Sequence, residues 1–171
     1  MASTSRRLLL AALSAALLAL TPGVASAATL DGSFTSKVQK PNYTTTACAD
    51  GDECGVIQLT GYGPAAFAYR YGPTFEPDGT KGCYTVDGTL LLTLQSDGST
   101  LSGPLTGVFC HPGGSEAQRG NPSYGHPFHE DDTVTFTRGT GQFTGLHGTA
   151  AFHTFSAGAV FNGTLTGTLS S

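Results

Sequence analysis

From residue 28 onward, apolar and polar side chains alternate with a period of two, and no stretch of ten residues carries an apolar stripe at helical spacing. The chain therefore reads as strands. Leu30, Gly32, Phe34 and Val38 share one face of a first strand whose other face holds Asp31, Ser33, Thr35 and Lys37. After a loop over 41–54, the runs Val56 to Tyr62 and Ala65 to Tyr71 predict a hairpin about Gly63-Pro64, with Phe67, Tyr69 and Tyr71 on one side. Cys83 to Gln95 puts Leu90, Leu92 and Leu94 on one face, Asp97-Gly98 forms a turn, and Leu101, Leu105 and Phe109 continue in register beyond it. Val134 and Phe136 mark another strand. Gly139-Thr140-Gly141 turns into a strand over Gln142 to Phe155, and Phe161, Leu165 and Leu169 line the last.

About eight short antiparallel strands in one domain over 28–171 suit a closed all-β barrel, with a two-sheet β-sandwich as the alternative. Closure removes the exposed edges that an open sheet must protect. Gly103, Gly107, Gly163 and Gly167 fall on the faces of the large apolar residues, where they permit sharp bends or leave the interior thinly filled. The residues expected to line such a cavity are Phe34, Phe67, Tyr69, Leu92, Leu105, Phe109, Phe136, Phe143 and Phe161.

Ahead of this domain, Arg6-Arg7, the apolar run Leu8 to Leu20 and Ala25-Ser26-Ala27 have the three parts of a cleaved export signal. Thirteen apolar residues reach only about 20 Å as a helix, short of a bilayer core, so residues 1–27 read as a signal peptide rather than an anchor. The product is expected outside the cell, by the general secretory or the twin-arginine route, with no membrane association after cleavage. Four cysteines, Cys48, Cys54, Cys83 and Cys110, then imply two disulfides. Of the three pairings, Cys48 with Cys54 spans a short acidic turn, and Cys83 with Cys110 joins two strand edges; these are preferred. No cysteine pair has zinc-site spacing. The 12 acidic side chains outnumber the 8 basic ones, and losing Arg6 and Arg7 sharpens the imbalance, which argues against nucleic acid as a partner.

The segment Gly139-Thr140-Gly141-Gln142-Phe143-Thr144-Gly145-Leu146-His147-Gly148 resembles the G-G-T-G-x-F-x-G-x-x-G hairpin of the allene oxide cyclase and dirigent-like barrel superfamily, with Arg138 in place of the first glycine. The resemblance implies an eight-stranded antiparallel barrel around an apolar cavity, often assembled as a homo-oligomer. Its plant members act on fatty-acid epoxides or steer phenoxy-radical coupling. No position of this chain matches a catalytic carboxylate of those families. Avidin-like barrels are set aside because their ligand boxes need tryptophan, and this chain has none.

Candidate chemistry concentrates in the aperiodic stretch His111 to Asp132, read as a long loop. His126, His129 and Glu130 lie close enough in sequence for acid–base chemistry or a divalent metal, but Pro127 prevents a helix from presenting both imidazoles on one face. A solvated polar loop is the plainer reading. His147 and His153 share strand parity, so both face inward or both outward unless a bulge at Gly148 shifts the register; a surface or cavity-mouth position is the preferred reading. Asp50, Asp52 and Glu53 could offer oxygens to calcium, yet lack the full loop pattern and read better as an acidic turn. No Gly-x-Ser-x-Gly, phosphate loop, cofactor motif or metal set is recognisable.

These readings converge on a secreted, disulfide-stabilised barrel that binds a small apolar or aromatic molecule and uses no cofactor. The alternatives are a filled barrel that binds a partner through its surface, and a cyclase or isomerase using His126, His129, His147 or His153.

Overall fold

A computed structural model describes residues 27–37, 53–111, 128–156 and 160–171, with backbone alone at 36, 37, 160 and 161. The signal segment, Cys48 and His126 lie outside the described residues. Nine strands follow in order: β1 (Ala28–Lys37), β2 (Glu53–Leu59), β3 (Gly63–Pro77), β4 (Cys83–Leu94), β5 (Thr100–Cys110), β6 (Phe128–Phe136), the two-residue β7 (Arg138–Gly139), β8 (His147–Ser156) and β9 (Val160–Ser170). Each long strand pairs antiparallel with its neighbours in the chain, and β9 returns to β1 along ten registered pairs, from Ala28 with Leu169 to Lys37 with Val160. The result is a closed, up-and-down, eight-stranded barrel with β7 added on the flank of β5.

The alternation read from the sequence decides what faces inward. Leu30 and Phe34 of β1, Phe67, Tyr69 and Tyr71 of β3, and Leu90, Leu92 and Leu94 of β4 are buried, as are Leu101, Leu105 and Phe109 of β5. These residues form one continuous core with Val134, Phe136, Phe152, Leu165 and Leu169. Such a core supplies most of the stabilisation, at about 25 cal/mol for each Å² of apolar surface removed from water. A short 3-10 turn, Gly141–Phe143, swings Phe143 over the end of the barrel, where it is fully buried against Tyr62 at 4.9 Å between ring centroids.

Three expectations need correction. First, β8 starts at His147 rather than Gln142, because the 3-10 turn and Gly145 at φ 77° consume the preceding residues. Second, the interior glycines do not leave a void. A Cβ on Gly107 would run into the Asp132 carboxylate, one on Gly163 into the Phe34 ring, and one on Gly103 or Gly167 into a carbonyl of the next strand. They admit close neighbours. Third, the stretch ending at Asp132 is not loop throughout: from Phe128 it is strand β6, in a perfect buried and exposed alternation.

The two ends of the barrel differ. One is closed by the tight connections at 60–62 and 95–99, with Leu59, Leu94, Leu101 and Leu169 packed behind them. Towards the other point the strand ends Lys37, Glu53, Cys110, Phe128, Ser156 and Val160. There Cys83 and Cys110 are directly opposed on β4 and β5 and form a disulfide, one of the two expected pairings. Cys54 is also disulfide-bonded, while its expected partner Cys48 lies outside the described residues. The β1–β2 seam is short, with registered pairs only at Gly32 with Leu59 and Ser33 with Gln58, against eleven across β4 and β5.

Candidate functional site

Inward positions of β6 run Phe128, Glu130, Asp132, Val134 and Phe136, all buried. Two carboxyl groups therefore project into the barrel where a hydropathy reading wants apolar side chains. Register places Glu130 opposite Thr154 of β8 and Phe109 of β5, and Asp132 opposite Phe152 and Gly107. The missing side chain at Gly107 is what lets the Asp132 carboxylate lie flat on β5. Gly88 does the same for Tyr69, since a Cβ there would sit 2.7 Å from the ring.

Glu130 accepts two phenol hydrogen bonds, from Tyr69 at 2.7 Å and from Tyr71 at 2.9 Å. Tyr71 also lies 3.2 Å from Glu53, a third buried carboxyl at the start of β2. One phenol carries a single proton, so both contacts of Tyr71 are fully satisfied when a carboxyl is itself protonated and donates to the phenol oxygen. Tyr69 and Tyr71 pack together, 4.5 Å between centroids, and Tyr69 meets Phe152 edge-on at 6.4 Å. Phe152 and Phe67 close on Phe34 at 5.9 Å and 4.6 Å. An aromatic wall thus leads into a carboxyl cluster.

Electrostatics follow from this placement. Burial is the main force raising the Glu130 carboxyl to about 7; the two phenols pull the other way and the Asp131 charge adds to the rise. Asp132 is pushed up to about 9, by burial first and then by the negative charges of Glu130, Glu53 and Asp131. Both phenols are raised as well, by burial and then by Glu130, so they stay protonated as donors. Neither Asp132 oxygen has a hydrogen-bond partner, and the Thr154 hydroxyl beside Glu130 has none either. Unmade hydrogen bonds of this kind cost roughly 1–3 kcal/mol each.

The histidines fare differently. His129 and Glu130 are consecutive on a strand and point to opposite faces, so the proposed pairing of imidazole and carboxylate on one loop does not form. His147 and His153 both face outward from β8; His153 pairs with Asp131 on the outer surface, and His147 lies 3.5 Å from Ser170. His111 is buried at the end of β5, its amide donating to Gly82 at 2.7 Å. Among the described residues no three His, Cys, Asp or Glu side chains come close enough to hold one metal ion. Glu53 is buried under Tyr71, not part of a solvated acidic turn; Asp50 and Asp52 lie outside the described residues.

Of the nine cavity-lining candidates, Phe34, Phe67, Tyr69, Leu92, Leu105, Phe109, Phe136 and Phe143 are buried in the core, and the Phe161 side chain lies outside the described residues. Only Tyr69 among them touches the carboxyl cluster by a hydrogen bond. Sequence reasoning missed Glu130, Asp132, Glu53, Tyr71 and Thr154 as one site. The signal for β6 was present: the parity of Val134 and Phe136, extended backwards, passes through Asp132 and Glu130 to Phe128.

Fold and site together define an up-and-down eight-stranded β-barrel with a carboxyl–tyrosine cluster at one end of its interior. Compared with known protein families, curated proteins and solved structures, the chain matches none of them.

Proposed function

We propose that this protein is a secreted barrel that binds a small apolar or aromatic molecule in the polar half of its interior. The observation that carries the reading is the buried Asp132 carboxyl, left without a hydrogen-bond partner at the foot of an aromatic wall. A structural core gains nothing from such a group, whereas a ligand site uses a few convergent polar groups among apolar side chains to orient what it binds. The leucine-packed half favours the filled-barrel alternative for that half alone, so binding belongs near Tyr69, Tyr71 and Phe152. Export is supported by the leader pattern and by the oxidised state of Cys54, Cys83 and Cys110. The sequence motif at 139–148 supports kinship with the allene oxide cyclase and dirigent-like barrels as part of the same proposal.

Mass spectrometry of the protein recovered from its host's medium tests both halves of the proposal. The denatured chain is expected to start at or next to Ala28, with its cysteines oxidised. Under native conditions a further mass of about a few hundred daltons is expected, in the range of ligands that such pockets enclose. An intact leader overturns export. A native mass equal to the denatured one, on protein that also takes up no apolar dye, overturns ligand binding in favour of a surface-binding role.

A further inference from the structure

The binding reading leaves the ligand's chemistry open, and the charge inside the barrel narrows it. Glu130 and Asp132 lie two residues apart on the inner face of β6, and the Tyr71 phenol links Glu130 to Glu53. Among the described residues Arg70, Lys81 and Arg138 are exposed, and none of them is a hydrogen-bond partner of Asp132. Thr154, fully buried and directly across from Glu130, adds a hydroxyl without a partner. Hydroxyl and carboxylates together form a set of acceptors facing one region, while the rings of Tyr69 and Tyr71 supply the electron-rich faces that attract cations.

We propose, resting on the ligand-binding reading, that the natural ligand is an organic amine: an apolar or aromatic body ending in a protonated nitrogen that bonds to Asp132 and Glu130 and lies beside Thr154. A bare metal ion suits the site less well, since the carboxyls are not gathered closely enough to chelate one. An ammonium group on a carbon chain does not need them gathered. It donates two or three separate hydrogen bonds and its body packs on Phe152 and Phe67.

Binding a cation requires ionised carboxyls, so the amine displaces protons from Asp132 and Glu130, both of which hold them more tightly than a solvated carboxyl does. Acidification therefore weakens binding. The groups facing the nitrogen are Glu130 and Asp132 from β6, Glu53 from β2, Tyr69 and Tyr71 from β3 and Thr154 from β8, with Gly107 and Phe109 of β5 uncharged.

The test is calorimetry on the full disulfide-bonded mature chain with 2-phenylethylamine and its neutral counterpart 2-phenylethanol. The amine is expected to bind about thirtyfold more tightly at pH 8, the size associated with one buried charge pair. It should release protons on binding, measured as a dependence of the heat on the buffer's ionisation enthalpy, and weaken at pH 5.5. Asp132→Asn should abolish the preference for the amine, and Glu130→Gln, whose amide keeps the phenol contacts, serves the same purpose if the first variant does not fold. Equal affinity for amine and alcohol, or a preference that survives both substitutions, overturns the amine assignment and leaves the ligand-binding reading standing. If neither compound nor a longer alkyl pair, octylamine and octanol, binds the folded protein, both readings fall.

Discussion

Asp132 and Glu130 hold their protons more tightly in the barrel than in the unfolded chain, where ordinary carboxyls release them near 3.8 and 4.5. Between those values and the raised ones the folded state carries more protons than the unfolded state, so its stability falls as pH rises across the window. The urea midpoint is expected to be higher at pH 5 than at pH 9. Asp132→Asn removes the larger of the two effects: it should flatten the decline and leave the variant about 1–3 kcal/mol more stable than the parent at pH 9, since it deletes a buried charge. Urea titrations of both proteins at the two pH values decide it, and a midpoint that climbs with pH in the parent contradicts the argument. Asp132 was passed over in the sequence for a physical reason, although the parity of Val134 and Phe136 runs through it. Hydropathy marks inward positions by apolar side chains, and a carboxylate in such a position looks like the end of the strand.

At the scale of the elements, the hairpins reveal how local the legible information was. Leu90, Leu92 and Leu94 share one face, with Leu91 alone interrupting the polar side, and Asp97-Gly98 supplies the turn with Gly98 at φ 75°, so β4 and β5 could be read as a pair. Cys83 and Cys110 were paired in the sequence as strand-edge residues, and the observed register, folded at 95–99, sets them side by side. By contrast, β6 meets β5 and β8 across a long connection, and no turn residue announces where it begins. The disulfide ties the β4–β5 hairpin at its open end, beside Phe109 and Phe128, whose rings stack at 5.3 Å. Its loss through Cys83→Ser with Cys110→Ser is expected to cost roughly 3–4 kcal/mol, the loop-closure entropy for a separation of 27 residues. Chemical unfolding of the double variant measures it. A loss below about 1 kcal/mol would mean that the unfolded hairpin already holds those ends together.

For the whole molecule, closure is the governing fact, and the sequence disclosed it only as a count of strands. Whether eight strands close or split into two sheets depends on the pairing of β1 with β9, which lie farther apart in the chain than any other pair. Ten registered pairs make that junction, with Thr35 and Asn162 adding a side-chain hydrogen bond at 2.8 Å. A chain stopped at residue 159 loses β9 and bares the edges of both β1 and β8, and is expected to aggregate rather than fold as a smaller sheet. Size-exclusion chromatography of the truncated chain beside the intact one tests this; a soluble monomer with native-like β-sheet circular dichroism would show that the barrel tolerates an open wall. The same junction orders events during biosynthesis. The first strand to emerge has to wait for the last before it finds a partner on that side, so a nascent chain that still lacks β9 cannot lock into its final shape. Closure of the barrel is therefore deferred until β9 has been synthesised.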